Sequence, residues 1–94
     1  MIHDVKKYQI SIFNESYTIV SDEPADIISK ASAIVDSLMN EAGKSGSVDV
    51  KKIAVLTALK LAGKLVNLEE EYKRLKEEEI KLIKKIDDDL FLLL

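Results

Sequence analysis

The 94-residue sequence has no cysteine and no tryptophan, one proline, three glycines and a single histidine. Without cysteine there is no disulfide, no thiol nucleophile and no thiolate ligand, a composition that fits a reducing compartment. His3, with no cysteine or spaced acids to join it, reads as a solvated side chain. One histidine leaves no ordinary Ser–His pair and no two-histidine metal motif, so neither a catalytic nor a metal site is expected. No cofactor is expected either. No apolar run approaches the roughly 18 residues of a membrane span, and the N-terminus lacks the apolar core of a signal peptide. The expectation is a cytoplasmic protein. Acidic residues outnumber basic ones 17 to 14, and the lysines are interleaved with glutamates. That leaves no basic field for nucleic acid.

What is present is a long helical pattern from Val50 to about Leu90. Leu61, Leu65, Leu68, Tyr72, Leu75, Leu82 and Ile86 recur in steps of four and three, with one seven-residue step over Glu79. This is a heptad seam with 65, 72, 79 and 86 at a, and 61, 68, 75, 82 and 89 at d. Glu69 with Lys73, Glu70 with Arg74, and Glu77 with Lys81 are i,i+4 pairs with the acid first. Each such pair supports a helix by roughly 0.2–0.5 kcal/mol. A rod apolar along one stripe needs another helix against it. The chain is expected to be an oligomer.

The remaining fifty or so residues are too few to form a comfortable core alone, which also argues for association. Tyr8, Ile10 and Ile12 alternate with polar residues, and Tyr17 and Ile19 do so again. A β-hairpin is expected over 7–20, turning at Asn14, Glu15 and Ser16, with Asn14 at positive φ. Ser21 or Asp22 is expected to cap a helix over 23–42. Its apolar face runs through Ile27, Ile28, Ala31, Ile34, Val35, Leu38, Met39 and Ala42. Gly43 and Gly46 suit left-handed C-cap geometry, and Ser45 to Ser47 form a connector. Asp49 is the expected N-cap of the long helix, with Val48 stapled onto Ile53. Its base, 50–66, is apolar on most sides and should pack on two or more faces. The fold class is therefore α+β: a small head of a hairpin and a short helix on a long C-terminal coiled-coil helix, as a dimer or a dimer of dimers.

Gly43-Lys44-Ser45 imitates the end of a phosphate loop, but position 38 is Leu where that loop needs Gly, and the tripeptide follows a helix. It reads as a helix end with a polar loop. Consecutive carboxylates on one helix diverge, so Glu77–Glu79 and Asp87–Asp89 form a solvated face, not a site. Glu79, at an a position, marks either a choice of register or a drift of the seam onto Ile80 and Ile83. The tail Leu90–Leu94 is too short to span a membrane. It either closes a bundle end, touches a membrane surface weakly or is poorly ordered.

Ile10-Ser11-Ile12-Phe13-Asn14-Glu15-Ser16-Tyr17-Thr18-Ile19 resembles the N-terminal signature of the ZapA family of bacterial cell-division proteins. Asp49-Val50-Lys51-Lys52-Ile53-Ala54-Val55-Leu56-Thr57-Ala58-Leu59 resembles its second signature, and the likeness covers roughly residues 7 to 75. The resemblance implies a dimerising head over 1–66 and a coiled-coil shaft over 67–94, with two dimers able to join into a tetramer. It implies a non-enzymatic adaptor that binds FtsZ and bundles its protofilaments at the midcell division ring. It also implies partner contacts at Glu15, Lys51 and Leu56. The alternative is a coiled-coil scaffold protein with a different protein partner.

Overall fold

The computed structural model describes residues 4–44, 46 and 49–93. The expectations for His3, for the connector serines 45 and 47, for the Val48 staple and for the side chains of Phe91, Leu93 and Leu94 lie outside the described residues. The elements are β1 (Lys6–Ile12), β2 (Glu15–Ser21), α1 (Ala25–Gly43) and α2 (Val50–Leu93). The chain divides into two compact units, one ending at Leu59 and one starting at Lys60.

In the first unit, β1 and β2 pair antiparallel with Ile12 opposite Glu15, Ile10 opposite Tyr17 and Tyr8 opposite Ile19. This puts Tyr8, Ile10, Ile12, Tyr17 and Ile19 on one face, as the alternation requires. The hairpin is one residue longer at each end than expected, and its turn is Phe13-Asn14. Glu15 and Ser16 belong to β2 instead. Phe13 and Asn14 both have positive φ, 52° and 64°. Two such residues between paired strands follow the right-handed strand twist.

For phenylalanine this conformation costs about 1–2 kcal/mol. Two contacts offset it. The Phe13 backbone N–H donates to Asp36 Oδ1 at 2.8 Å, which ties the hairpin tip to α1. The Phe13 ring packs against Gly43, where even a Cβ would meet two ring carbons at 3.4 Å, ordinary contact distance. Gly43 is the last residue of α1 and Lys44 the C-cap, in right-handed geometry. Only Gly46 carries positive φ, 93°, among the described glycines. The expected left-handed cap at Gly43 is thus replaced by a close ring contact.

Helix α1 starts at Ala25, not at Glu23. Pro24 is its N-cap with extended ψ of 155° and no side-chain cap bond. A residue before proline is pushed out of the helical region, so Glu23 cannot join the first turn. Ser21 Oγ instead accepts from the Glu23 N–H at 3.0 Å, a local turn. The Tyr8 hydroxyl donates to the Glu23 carbonyl at 2.7 Å, anchoring β1 to this entry. At α2, Asp49 caps as expected: its Oδ1 accepts from the N–H of Lys51 at 3.0 Å and of Lys52 at 3.5 Å.

The core of this unit is small. Leu38, Met39 and Ile53 are its buried apolar residues among those described, and Ile53 is only 1% exposed. Ile27 and Ile34 of α1 remain open. Thr57, one turn after Ile53, is 4% exposed, and its hydroxyl has no hydrogen-bond partner. A buried orphan hydroxyl destabilises, whereas a valine of the same shape carries no such penalty. Thr57→Val is therefore expected to raise stability by about 1 kcal/mol, read as a higher Tm in a thermal melt. A lower Tm would show that the hydroxyl is satisfied.

The second unit is the C-terminal part of α2. The whole helix has 44 residues, about 66 Å at 1.5 Å per residue.

Candidate functional site

An amphipathic helix is stable in water only when its apolar stripe is covered. Leu65, Leu68, Tyr72, Leu75, Leu82 and Ile86 are all half exposed or more, Leu68 reaching 67%. Leu61, at the top of the seam, is half-buried. Leu68, Tyr72 and Leu75 line one shallow apolar depression with Glu69 and Glu71 at its edges. Ile80 and Ile83 are exposed beside the seam. The expected stripe is therefore present and open along the helix.

Of the three expected pairs, Glu69 with Lys73, Glu70 with Arg74 and Glu77 with Lys81, none forms an ion pair among the described residues. Arg74 reaches Glu71 at 2.5 Å and Glu78 at 2.7 Å, so Glu71 stands in for the expected Glu70. One turn back and one turn on, these two acids hold the guanidinium from both sides. Hydrogen bonding to Arg74, then its positive charge, lowers the pKa of Glu71 below the usual carboxylate value. Hydrogen bonding and charge from Glu71, with the charge of Glu78, raise that of Arg74. The depressed Glu71 value favours the folded helix above the ordinary carboxylate pKa, and that contribution fades as pH falls through the lowered value. All three side chains are open to water, so the effect is small. Glu79 Oε2 lies 3.9 Å from Lys76 Nζ, whose ammonium stands 5.8 Å from the Tyr72 ring centre.

The residues expected to meet a partner fall in two places. Lys51 and Leu56 come together on α2, lining one shallow depression with Asp49, Lys52 and Val55. Glu15 opens β2, where its carboxylate accepts from the Tyr17 hydroxyl at 3.4 Å. No hydrogen bond or ion pair among the described residues joins Glu15 to that depression. Sequence reasoning passed over Lys52, Val55 and Leu59 as a surface. Their signal was present in the helical spacing but hidden in a stretch that is apolar on nearly every side.

Among the described residues, no group of three His, Cys, Asp or Glu side chains could hold a metal ion. No helix among them is long and apolar enough to cross a membrane. A hairpin, a short helix and a long helix with an open heptad stripe define an assembly protein, one with a surface for pairing with other chains.

The chain belongs to the ZapA family of cell division proteins, whose model matches residues 8–90. It is 40% identical to cell division protein ZapA of Geobacillus kaustophilus (strain HTA426) over 73 residues, 77% of this chain and 80% of that one. It is 36% identical to ZapA of Bacillus anthracis over 72 residues, 76% of this chain and 81% of the other. Among solved structures it is similar to a ZapA mutant dimer from Geobacillus stearothermophilus. That match has a TM-score of 0.64 and 38% identity, covering 80% of this chain and 88% of the other. Membership carries a non-enzymatic role in cell division and the α+β architecture of hairpin head and coiled-coil helix.

Proposed function

We propose that this chain is an oligomeric adaptor that binds FtsZ and cross-links its protofilaments at the cytoplasmic midcell division ring. The observation that carries the reading is the open stripe Leu65, Leu68, Tyr72, Leu75, Leu82 and Ile86 on a chain of this family. With Leu61 it supplies a pairing surface that one chain cannot cover. Residues 1–66 act as the head and 67–94 as the shaft, in a dimer that joins into a tetramer as concentration rises. Two weak heads on one assembly capture neighbouring filaments far better than either head alone.

Glu15, Lys51 and Leu56 contact the filament in this reading. Leu56 supplies apolar area, while the two charges add steering and register. Lys51 sits in the first turn of α2, where a cation gains nothing from the helix dipole, so helix stability does not account for it. Co-sedimentation with polymerised FtsZ tests the reading: the chain should pellet with filaments and stay soluble without them. Glu15→Lys with Lys51→Glu should leave the fold intact. It should change filament affinity several-fold, by an amount that shrinks as salt rises. Equal pelleting of wild type and double variant at both salt levels would remove Glu15 and Lys51 from the contact.

A further inference from the structure

At about 100° per residue, the first turns of α2 present three separate lines of side chains. Ile53 and Thr57 form the first, buried in the head. Ala54, Ala58, Leu61 and Leu65 form the second, the upper end of the seam, roughly 90° round from the first. Val55, Leu56 and Leu59 form a third, roughly 130° from either of the others. They are 60%, 51% and 68% exposed. Within the single chain the head leaves this third line open. After Val66 the same line turns charged, with Glu70, Lys73 and Glu77. A second seam would have continued; a bounded patch stops.

The patch has a charge sign at one end. Lys52 lies on the third line and Lys51 at its edge, and both side chains are exposed. Asp49 uses a carboxylate oxygen on the backbone N–H groups of these two residues, which closes off the helix N-terminus itself. The two ammonium groups form no ion pair among the described residues. Two unpaired cations beside three open apolar side chains complement a partner segment of opposite charge and mixed apolar character.

We propose that this third face of α2 docks an acidic, apolar-bearing segment of the protein partner. Carboxylates of the partner meet Lys51 and Lys52, and its apolar side chains cover Val55, Leu56 and Leu59. The proposal rests on the filament-binding reading and adds Lys52, Val55 and Leu59 to that surface. It also specifies the charge of what binds there. An anionic lipid surface fits less well, since the chain carries a formal charge of −3 and the patch offers few large apolar side chains.

The test uses the full chain and polymerised FtsZ, with three single variants whose solution mass is checked by light scattering. Lys52→Glu should weaken pelleting about tenfold at low salt, with the gap closing at high salt. Lys52→Arg should pellet like wild type. Leu59→Ser should weaken pelleting at every salt concentration, with mass and helix content unchanged. Wild-type pelleting together with unchanged Lys52→Glu and Leu59→Ser overturns this face alone and leaves filament binding standing. Failure of the wild type to pellet overturns both. A fall in mass for Leu59→Ser would assign the face to a second copy instead. Flotation of wild type, but not Lys52→Glu, with phosphatidylglycerol vesicles would assign it to lipid.

Discussion

Replacing Leu68 and Leu75 together by glutamate is expected to hold the chain at its smallest species across a concentration series. In light scattering, wild type should move from dimer to tetramer while the double variant never reaches tetramer mass. Both leucines are exposed in the single chain, 67% and 51%, and both lie at d positions of the seam. Pairing two helices there removes them from water. A carboxylate in the same place would be desolvated without a cation to meet it, a cost of several kcal/mol for each buried charge. Each paired interface would contain four such groups. Neither substitution harms the isolated helix, because glutamate is a good helix former. Circular dichroism should therefore show helix retained while assembly is lost. An unchanged mass distribution would mean that the interface lies elsewhere.

The largest effect on the fold is expected from Ile53→Ala. Ile53 is the one large side chain fully buried among the described residues, and its Cδ1 stands 3.8 Å from where a Cβ on Gly43 would be. Truncating such a residue costs about 2–5 kcal/mol, the transfer energy plus the cavity left behind. A core with so few buried apolar residues has little stability to lose. The urea midpoint should drop sharply, or the head should be unfolded without denaturant. Leu59→Ala is the matched comparison, six residues along the same helix but 68% exposed. It should change stability by no more than about 0.5 kcal/mol. Equal losses for the two variants would contradict the burial pattern.

The parts of this fold that repeat were readable from the sequence. The three-and-four spacing of Leu61 to Ile86 indicated a helix with an open stripe, because a regular period survives local error. The alternation of Tyr8, Ile10 and Ile12 indicated the strand for the same reason. Asp49 was readable because a carboxylate before a helical run has a specific local use.

What escaped was decided by tertiary contact. Phe13 takes positive φ because Asp36, 23 residues away, holds its N–H while its ring packs against Gly43. No local preference points to phenylalanine in that role. Helix α1 starts after the capping residues 21 and 22 because Pro24 pushes Glu23 out of the helical region. Arg74 chose Glu71 over Glu70 because several acids lie within reach on an open helix face, and spacing does not rank them. The surface of Lys52, Val55 and Leu59 was lost in a stretch where apolar residues serve three directions at once.

The tie between Phe13 and Asp36 has an evolutionary consequence. A hairpin turn on the surface is ordinarily a place where a chain can gain or lose a residue. Here the N–H that a longer or shorter turn would displace is the donor to α1. The strands would also have to slip by one, which turns the Tyr8–Ile10–Ile12 face outward. Descendants of this sequence are therefore free to vary the chemistry of Glu15, and at Asn14 to choose among residues that tolerate positive φ, but not to change the number of residues between the strands. Changes of partner preference at this tip must come through side-chain replacement at constant length.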